Sequence, residues 1–353
     1  MILDRYIGKS VLVTSLLALF ALVAVFSFFT LVDQLDDTGR GNYGVTQAIQ
    51  YVLLTIPRLI YELFPIATVI GSMAAIGMLA NSSELAVIRT SGVSRMQLAY
   101  SLMKTGLIFI VFSMLIGEVI APISEQAAQQ KRSVALTKQI SLRTKHGFWS
   151  RDGDNYINIR RILPGDRVEG IYIYEFDKNH HLRSSIHAKH AEYDQDRWIL
   201  HNIIKTEISE EKITTNKYKT AEWEALLNPE VINLVTIKPR YLSVYGLIRY
   251  IGYLRANNQN SKLYVQAFWS KLINPFIIIA MMLLAICVVK CEARPVGLGQ
   301  RVFTGALLGI IFHLVNQVTG HLGIVYGIPA FISVSFPTIL VLSYIYYFLN
   351  KNY

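Results

Sequence analysis

The chain has 353 residues, of which 52% are hydrophobic and only 16% are charged, with a formal net charge of +10. Soluble domains carry about 25% charged residues, so this composition excludes a single soluble domain, a disordered chain and a fibrous repeat. The charges are unevenly spread: residues 122–262 hold 22 of the 34 Lys and Arg and 16 of the 24 Asp and Glu. This distribution predicts a membrane protein with one sizeable water-exposed insert.

Six apolar runs are long enough to cross a bilayer, since a spanning helix needs about 20 apolar residues. The predicted fold is an α-helical membrane protein with six transmembrane helices, three on each side of an inserted all-β domain. The predicted spans are Val11–Val32, Leu59–Ala80, Thr105–Ala121, Leu272–Val289, Val302–Leu322 and Ile328–Leu349.

The basic residues near the span ends predict the orientation, because cytoplasmic loops carry the excess of Lys and Arg. With the N-terminus inside, the cytoplasmic flanks hold nine such residues and the opposite short loops hold only Arg40 and Arg58. We therefore expect both termini in the cytoplasm and the insert on the other side. The nine are Arg5, Lys9, Arg89, Arg95, Lys104, Lys290, Arg294, Arg301 and Lys351.

The sequence predicts three regions: transmembrane helices 1–3 in residues 1–121, a β domain with helical connectors in 122–262, and transmembrane helices 4–6 in 263–353. Short β-branched and aromatic runs such as Tyr156–Ile159 and Ile171–Phe176, bounded by turn residues, indicate a sandwich or jelly roll. Residues Pro122–Lys145 are predicted to extend the third span as a helix. Residues Ser243–Ala256 are predicted to form an amphipathic helix with Leu247, Ile248, Ile251 and Leu254 on one side.

A loop between the second and third spans, residues 81–94, contains a predicted short amphipathic helix. Asn81 and Glu84 have the spacing of a capping box, Leu85, Ile88 and Arg89 follow at helical spacing, and Gly92 suits a helix end. Two interpretations stay open: an interfacial helix whose carboxylate caps its own N-terminus, or a peg that inserts into a soluble partner.

The fifth span carries His313, Asn316 and Gln317 on one helical face. Polar groups inside a bilayer face a partner or a cavity, so this face either lines a substrate path or makes hydrogen bonds between helices. The same span has Gly305 and Gly309 at the spacing of a close-packing face.

Other chemistry is weakly represented. Gly8-Lys9-Ser10 ends like a phosphate-binding loop, but that motif needs a glycine where Leu3 stands. No metal-ligand cluster, catalytic triad or carboxylate pair can be defended, and the scattered basic residues do not form a nucleic-acid-binding stripe. We expect a non-enzymatic chain without a metal, a cofactor of its own or a nucleic-acid partner.

Four segments in order resemble the lipopolysaccharide export permease family, and its G-type branch more than its F-type branch. They are Leu3–Lys9, Val32–Leu35, Ser83–Gly92 and Val325–Pro329. Each segment alone is modestly specific, but the resemblance runs from end to end and includes the order of three spans, an insert and three spans.

The resemblance implies a bacterial inner-membrane subunit of an ABC transporter with a periplasmic jelly roll. The family extracts lipopolysaccharide from the outer leaflet of the inner membrane and passes it toward the outer membrane. The implied partners are a paralogous F-type six-span permease, a cytoplasmic ATPase dimer that holds ATP and magnesium, a single-span bitopic jelly-roll subunit and a periplasmic jelly-roll bridge protein. The 81–94 helix would then be the coupling helix, with Glu84 in a groove of the ATPase.

The same resemblance suggests residues that hold the phosphates of the lipid. Arg132 matches a position where the family places such a residue, and Lys131, Arg40 and Arg58 are further candidates whose alternative is ordinary interface-flanking charge. The chain departs from the family at positions where members often carry lysine, which here are Thr30, Asp36 and Asp37.

Two other functions remain as alternatives to export: a secondary transporter and a membrane-anchored envelope scaffold. A secondary transporter would need a mid-membrane ion site and an internal repeat, and the sequence offers no Asp or Glu at mid-span. A membrane-anchored envelope scaffold would not need six spans with a polar, close-packed fifth helix.

Overall fold

The computed structural model describes residues 2–137, 142–152, 155–163, 167–177, 181–194, 197–209, 212–223, 238–290 and 297–350. Within these residues, six helical segments are long and apolar enough to cross a membrane, which confirms the predicted spans. The helices are α1 (Ile2–Leu35), α2 (Val45–Asn81), α3 (Glu84–Thr90), α4 (Arg95–Leu115), α5 (Ala121–Thr137), α6 (Val244–Ala256), α7 (Lys262–Lys290), α8 (Leu298–Tyr326) and α9 (Ala330–Asn350).

Helix α2 is the centre of the membrane bundle. It is the most buried of the candidate spans and contacts α1, α7 and α8. Two small-residue contacts bring its neighbours close. Gly71 lies directly against the backbone of Ser15 in α1, and Gly305 and Gly309 of α8 lie against Ile70 and Ile66 of α2. The close-packing face predicted for the fifth span is therefore present.

The third span continues without a break far beyond the membrane. Helix α4, a π-helical turn at Ile116–Ile120 and α5 form one helical run from Arg95 to Leu136. At 1.5 Å per residue, 42 residues extend roughly 60 Å, about twice the hydrocarbon thickness. The helical extension was predicted to reach Lys145, but α5 ends at Thr137 and residues from Leu142 belong to the first strand, because extended β pairing takes over there.

The insert contains an antiparallel sheet, as the short β-branched runs indicated. Six described strands pair in chain order, so neighbouring strands are joined as hairpins. The prediction of jelly-roll connections also involves residues 224–237, which lie outside the described residues. The strands are β1 (Leu142–Asp152), β2 (Asn155–Leu163), β3 (Arg167–Phe176), β4 (Leu182–Asp194), β5 (Arg197–Ile208) and β6 (Ile213–Trp223).

One face of this sheet is apolar and packs on α6. Alternating residues such as Ile157, Ile173 and Ala188 are fully buried, together with Tyr250 and Leu254 of α6. The amphipathic helix predicted at Ser243–Ala256 is confirmed, with the Ser243 hydroxyl capping its first turn. Its predicted face was partly wrong: Ile248 is exposed, because the sheet takes up the side that carries the tyrosines. Burial raises the pKa of Tyr250, so this hydroxyl stays neutral beneath the sheet.

Gly71→Leu tests the close contact between α1 and α2. A side chain at this position would overlap the backbone of Ser15 and disrupt the hydrogen bond from Thr14 Oγ1 to the Gly71 carbonyl (2.7 Å). Overpacking of this kind costs about 1–3 kcal/mol or more, so we expect a lower melting temperature in detergent. Gly299→Leu is the control, since nothing lies within 4 Å of its Cβ position. Equal melting temperatures for both variants would contradict the contact.

Candidate functional site

The short helix α3 lies in the loop between α2 and α4, at the end of the bundle opposite the sheet. It begins at Glu84 and ends before Gly92, whose φ of +84° confirms the predicted helix stop. The predicted capping box was wrong. Asn81 ends α2, and Ser83, with a φ of +62°, turns the chain so that its carbonyl accepts the N–H groups of Ala86 and Val87 in α3.

The structure divides the predicted coupling residues between two faces of α3. Leu85 is buried in the core of the bundle and Ile88 packs against that core, so both anchor the helix. The exposed side instead presents Val87, which is 62% exposed and which the sequence analysis did not single out. Arg89 belongs to the helix, but its side chain lies outside the described part of the chain.

Two contacts fix this loop to the rest of the bundle. The Tyr6 hydroxyl of α1 donates a hydrogen bond to Glu84 Oε2 (2.8 Å), so the carboxylate is held at the surface. Arg301 of α8 is buried and donates from Nη2 to the Asn81 side chain (3.0 Å) at the end of α2. The buried arginine also packs on Gly77. Tyr6 thus ties α1 to α3 itself, and Arg301 ties α8 to the end of α2 just before α3.

At the sheet side of the bundle, two of the predicted head-group residues converge on one carboxylate. Asp37 accepts from Arg132 Nη2 (2.6 Å) and from Arg40 Nη1 (2.5 Å). Gln34 Oε1 accepts from Arg132 Nε (2.8 Å). Gly41, with a φ of +61°, lets the α1–α2 turn press against the last carbonyls of α5, which brings these groups together.

The third predicted head-group residue is paired elsewhere. Arg58 lies 3.4 Å from Glu125 Oε1, a fully buried carboxylate, and stacks on the ring of Tyr241 at 4.9 Å. Gln129 bridges the same carboxylate to the Tyr51 hydroxyl. Arg40, Arg58 and Arg132 are thus partly neutralised inside the chain. Lys131 lies apart from them and is exposed.

The polar face predicted on the fifth span lies on the outside of this chain. His313 and Gln317 are exposed, while Asn316 is half-buried. Among the described residues, no hydrogen bond joins any of these three side chains to another helix of the chain. The Asn316 Oδ1 atom is buried without a hydrogen-bond partner in the described structure, and the assignment of this face to a substrate path or to contacts between helices stays a prediction.

An ion pair that the sequence did not predict lies where the membrane bundle meets α6. Lys271 Nζ contacts Glu118 Oε1 at 2.6 Å and the Gly117 carbonyl at 3.0 Å, and its side chain is only 4% exposed. Glu118 Oε2 accepts the backbone N–H of Val244, the first residue of α6 (2.6 Å). The ammonium also lies 5.4 Å from the Tyr61 ring of α2. One charge pair thus joins three spans and the connector to the β domain.

The local backbone explains how the pair forms. Gly117 and Glu118 lie in the π-helical turn, and a side chain at Gly117 would collide with the Tyr61 ring. π-Helical turns concentrate at functional sites. A sequence signal existed in Lys271, which directly precedes the uncharged run that begins at Leu272, but nothing in the sequence identifies its partner 153 residues away.

Lys271→Met tests this junction. A fully buried charge left without its partner costs about 3–5 kcal/mol; Glu118 is 24% exposed and keeps the Val244 N–H, so we expect a smaller but clear fall in thermal stability. The double variant Lys271→Met, Glu118→Gln should recover part of the loss, because no buried charge is left. Lys104→Met is the control: its pair with Asp4 is half-exposed, and such pairs contribute about 1 kcal/mol or less. Equal losses for Lys271→Met and Lys104→Met would refute the assignment.

The sheet has a small apolar concavity next to α6. It is lined mainly by Ile159, Ala191, Leu200 and the rings of Trp198 and Trp223. Apolar side chains of this kind can cover hydrocarbon but offer no groups for acid–base or nucleophilic chemistry. In the described residues, no group of three or more His, Cys, Asp or Glu side chains could hold a metal ion.

The chain matches known proteins along its whole length. The family model described as lipopolysaccharide export system permease LptF/LptG matches residues 5–351. The chain is 36% identical over 352 residues to the lipopolysaccharide export system permease protein LptG of Haemophilus influenzae, covering 99% of this chain and 98% of that protein. It is also 36% identical to LptG of Escherichia coli K12, over 96% of this chain and 94% of that protein.

Proposed function

The chain belongs to the LptF/LptG family of lipopolysaccharide export system permeases, and we propose that it is the membrane subunit through which an ABC transporter extracts lipopolysaccharide from the inner membrane. The family match supports a multi-pass inner-membrane permease. The length of this match is the observation that supports the proposal most, because residues 5–351 include the spans, the α3 loop and the β domain.

In this proposal α3 faces the cytoplasm and docks on a separate ATPase dimer, which binds ATP and magnesium. Two features support it: the helix is anchored in the core by Leu85 while Val87 faces outward, and Glu84 lies at the surface. The excess of basic residues on this side supports the same orientation. The chain itself contributes no catalytic group and no cofactor.

The route of the lipid follows from its chemistry. Each CH₂ group exposed to water costs about 0.8 kcal/mol, so acyl chains must leave the bilayer sideways into an apolar path. The exposed face of α8 with His313 and Gln317 would line that path or meet a paralogous F-type permease. The apolar face of the sheet, which carries Trp198 and Trp223, would have to open from α6 to shield the chains next, because the concavity there holds only about 10 Å³.

Further partners follow from the same proposal. A single-span bitopic subunit with a jelly roll would sit beside a lateral opening of the bundle, and a periplasmic jelly-roll protein would receive the lipid from the β domain. Among the described strands β6 lies at the edge of the sheet and its side chains are mostly exposed, which supports such a hand-over, since edge strands present unpaired backbone groups to another sheet.

Head-group phosphates would be held by the arginines near the α1–α2 turn. Arg132 and Arg40 share Asp37, so a phosphate must compete with this carboxylate for them. Asp37 stands at a position where family members often carry lysine. The arginines of this site are therefore paired with a carboxylate of the chain instead of being free cations. Lys131 offers a cation outside this network.

Glu84→Arg and Glu84→Ala test the coupling role. Losing one partner of an interfacial charge pair costs about 2–5 kcal/mol, so ATP-driven release of lipopolysaccharide should fall at least tenfold while the chain still inserts in the membrane. Release is measured in proteoliposomes that contain the complete complex. Tyr6→Phe is the control, because it removes only the hydrogen bond to the carboxylate. Normal release by both Glu84 variants would contradict the coupling role.

Asp37→Asn tests the paired head-group site. Removing the carboxylate frees Arg132 and Arg40 for phosphate, and an exposed pair is worth about 0.2–1 kcal/mol, so lipopolysaccharide should bind roughly two- to fivefold more tightly. Asp36→Asn changes the charge equally one residue away, outside the described ion pairs. Binding is measured with purified complex in detergent. Identical affinities for the two variants would show that Asp37 does not compete with the lipid.

A further inference from the structure

A cavity of about 250 Å³ lies on the sheet side of the bundle, where α6 and α8 end and α7 and α9 begin. Its polar lining comes from Arg255, Ser261, Lys262, Gln266 and Ser333. A single water needs only about 10–15 Å³ of such space, so the cavity has ample room for a phosphate group.

The described lining of the cavity carries positive charge and contains no carboxylate. Arg255 and Lys262 are both exposed at its mouth, and no acidic residue lines it. Residues 239–353 contain a single acidic residue, Glu292, which follows the opposite end of α7 in the sequence. Arg40, Arg58 and Arg132 each form an ion pair with a carboxylate of the chain, whereas the described lining of this cavity provides no carboxylate.

Backbone groups add to the same preference. Helix α7 begins at Lys262 and α9 begins at Ala330, and both first turns line the cavity. The first N–H groups of a helix have no acceptor within the helix and favour an anion. At α7 the Lys262 N–H already donates to Asn260 Oδ1 (3.0 Å), so this contribution comes mainly from the start of α9. Ser261 and Ser333 add hydroxyls at the same two helix starts.

The remaining walls are apolar. Val265, Ile324 and Ile328 line the cavity beside the polar groups. Val265 and Ile324 lie at the ends of candidate membrane spans, and Ile328 lies in the turn between two of them. A ligand here meets cations on one side and hydrocarbon on the other, which is the arrangement at the boundary of a bilayer.

We propose that this cavity binds the phosphate of an anionic phospholipid from the leaflet on the sheet side, with Arg255 and Lys262 as the ligands of the phosphate. The site is separate from the arginines around Asp37. Binding of a membrane lipid here does not depend on the proposed export of lipopolysaccharide, so either can fail without the other.

The test uses native mass spectrometry of the full-length chain, purified with its partner subunits and titrated with phosphatidylglycerol or phosphatidylcholine. We expect phosphatidylglycerol to bind preferentially, and the double variant Arg255→Gln, Lys262→Gln to bind it at least tenfold more weakly. Arg249→Gln is the matched control, because it removes a cation of α6 that does not line the cavity.

Two results would overturn the proposal. Equal phosphatidylglycerol binding by the wild type and the double variant would exclude the cavity as the site. Complete displacement of the lipid by millimolar inorganic phosphate would assign the cations to a free anion instead. ATP-driven lipopolysaccharide release, measured on the same preparation, reports separately on the proposed function.

Discussion

The buried ion pair between Lys271 and Glu118 is the constraint on which the rest of the architecture depends. The Lys271 ammonium is almost completely removed from water and needs the Glu118 carboxylate beside it, so this pair holds the third span, the fourth span and the start of α6 together. The two halves of the bundle are far apart in the sequence, and the β domain is inserted between them. A single charge pair thus fixes the domain to both halves at once.

This junction gives the chain a rigid path between its two ends. Helix α5 carries the third span up to the strands, and α6 packs under the sheet with Tyr250 and Leu254. At the other end, Arg301 and Tyr6 tie α8 and α1 to the α3 loop. Among the described residues, packed helices and these side-chain contacts connect the α3 loop with the helix that lies under the sheet.

Much of this fold could be predicted from the sequence, because long uncharged runs and short β-branched runs each have few structural solutions. The glycine stripe at Gly305 and the helix stop at Gly92 were predicted for the same local reason. The capping of α3 was not, since Asn81 prolongs α2 and leaves Ser83 to make the turn. The pairing of Asp37 with Arg132 and of Glu118 with Lys271 joins residues that are distant in the sequence, and spacing alone carries no information about such contacts.

The ion pairs also change the interpretation of the three arginines at the sheet side of the bundle, Arg40, Arg58 and Arg132. As separate sequence positions, Arg40, Arg58 and Arg132 look like free cations waiting for phosphate, whereas the structure supplies each with a carboxylate. In the proposed head-group site a lipid phosphate would compete with these carboxylates, so local charge balance would matter more than the number of basic residues.

The most direct test of the account is transfer of lipopolysaccharide from proteoliposomes to a soluble jelly-roll acceptor. The vesicles contain this chain together with the permease and ATPase subunits that co-purify with it. The account predicts transfer that requires ATP hydrolysis and stops when the ATPase is omitted. Transport of a small soluble solute by the purified chain alone, without nucleotide, would contradict it.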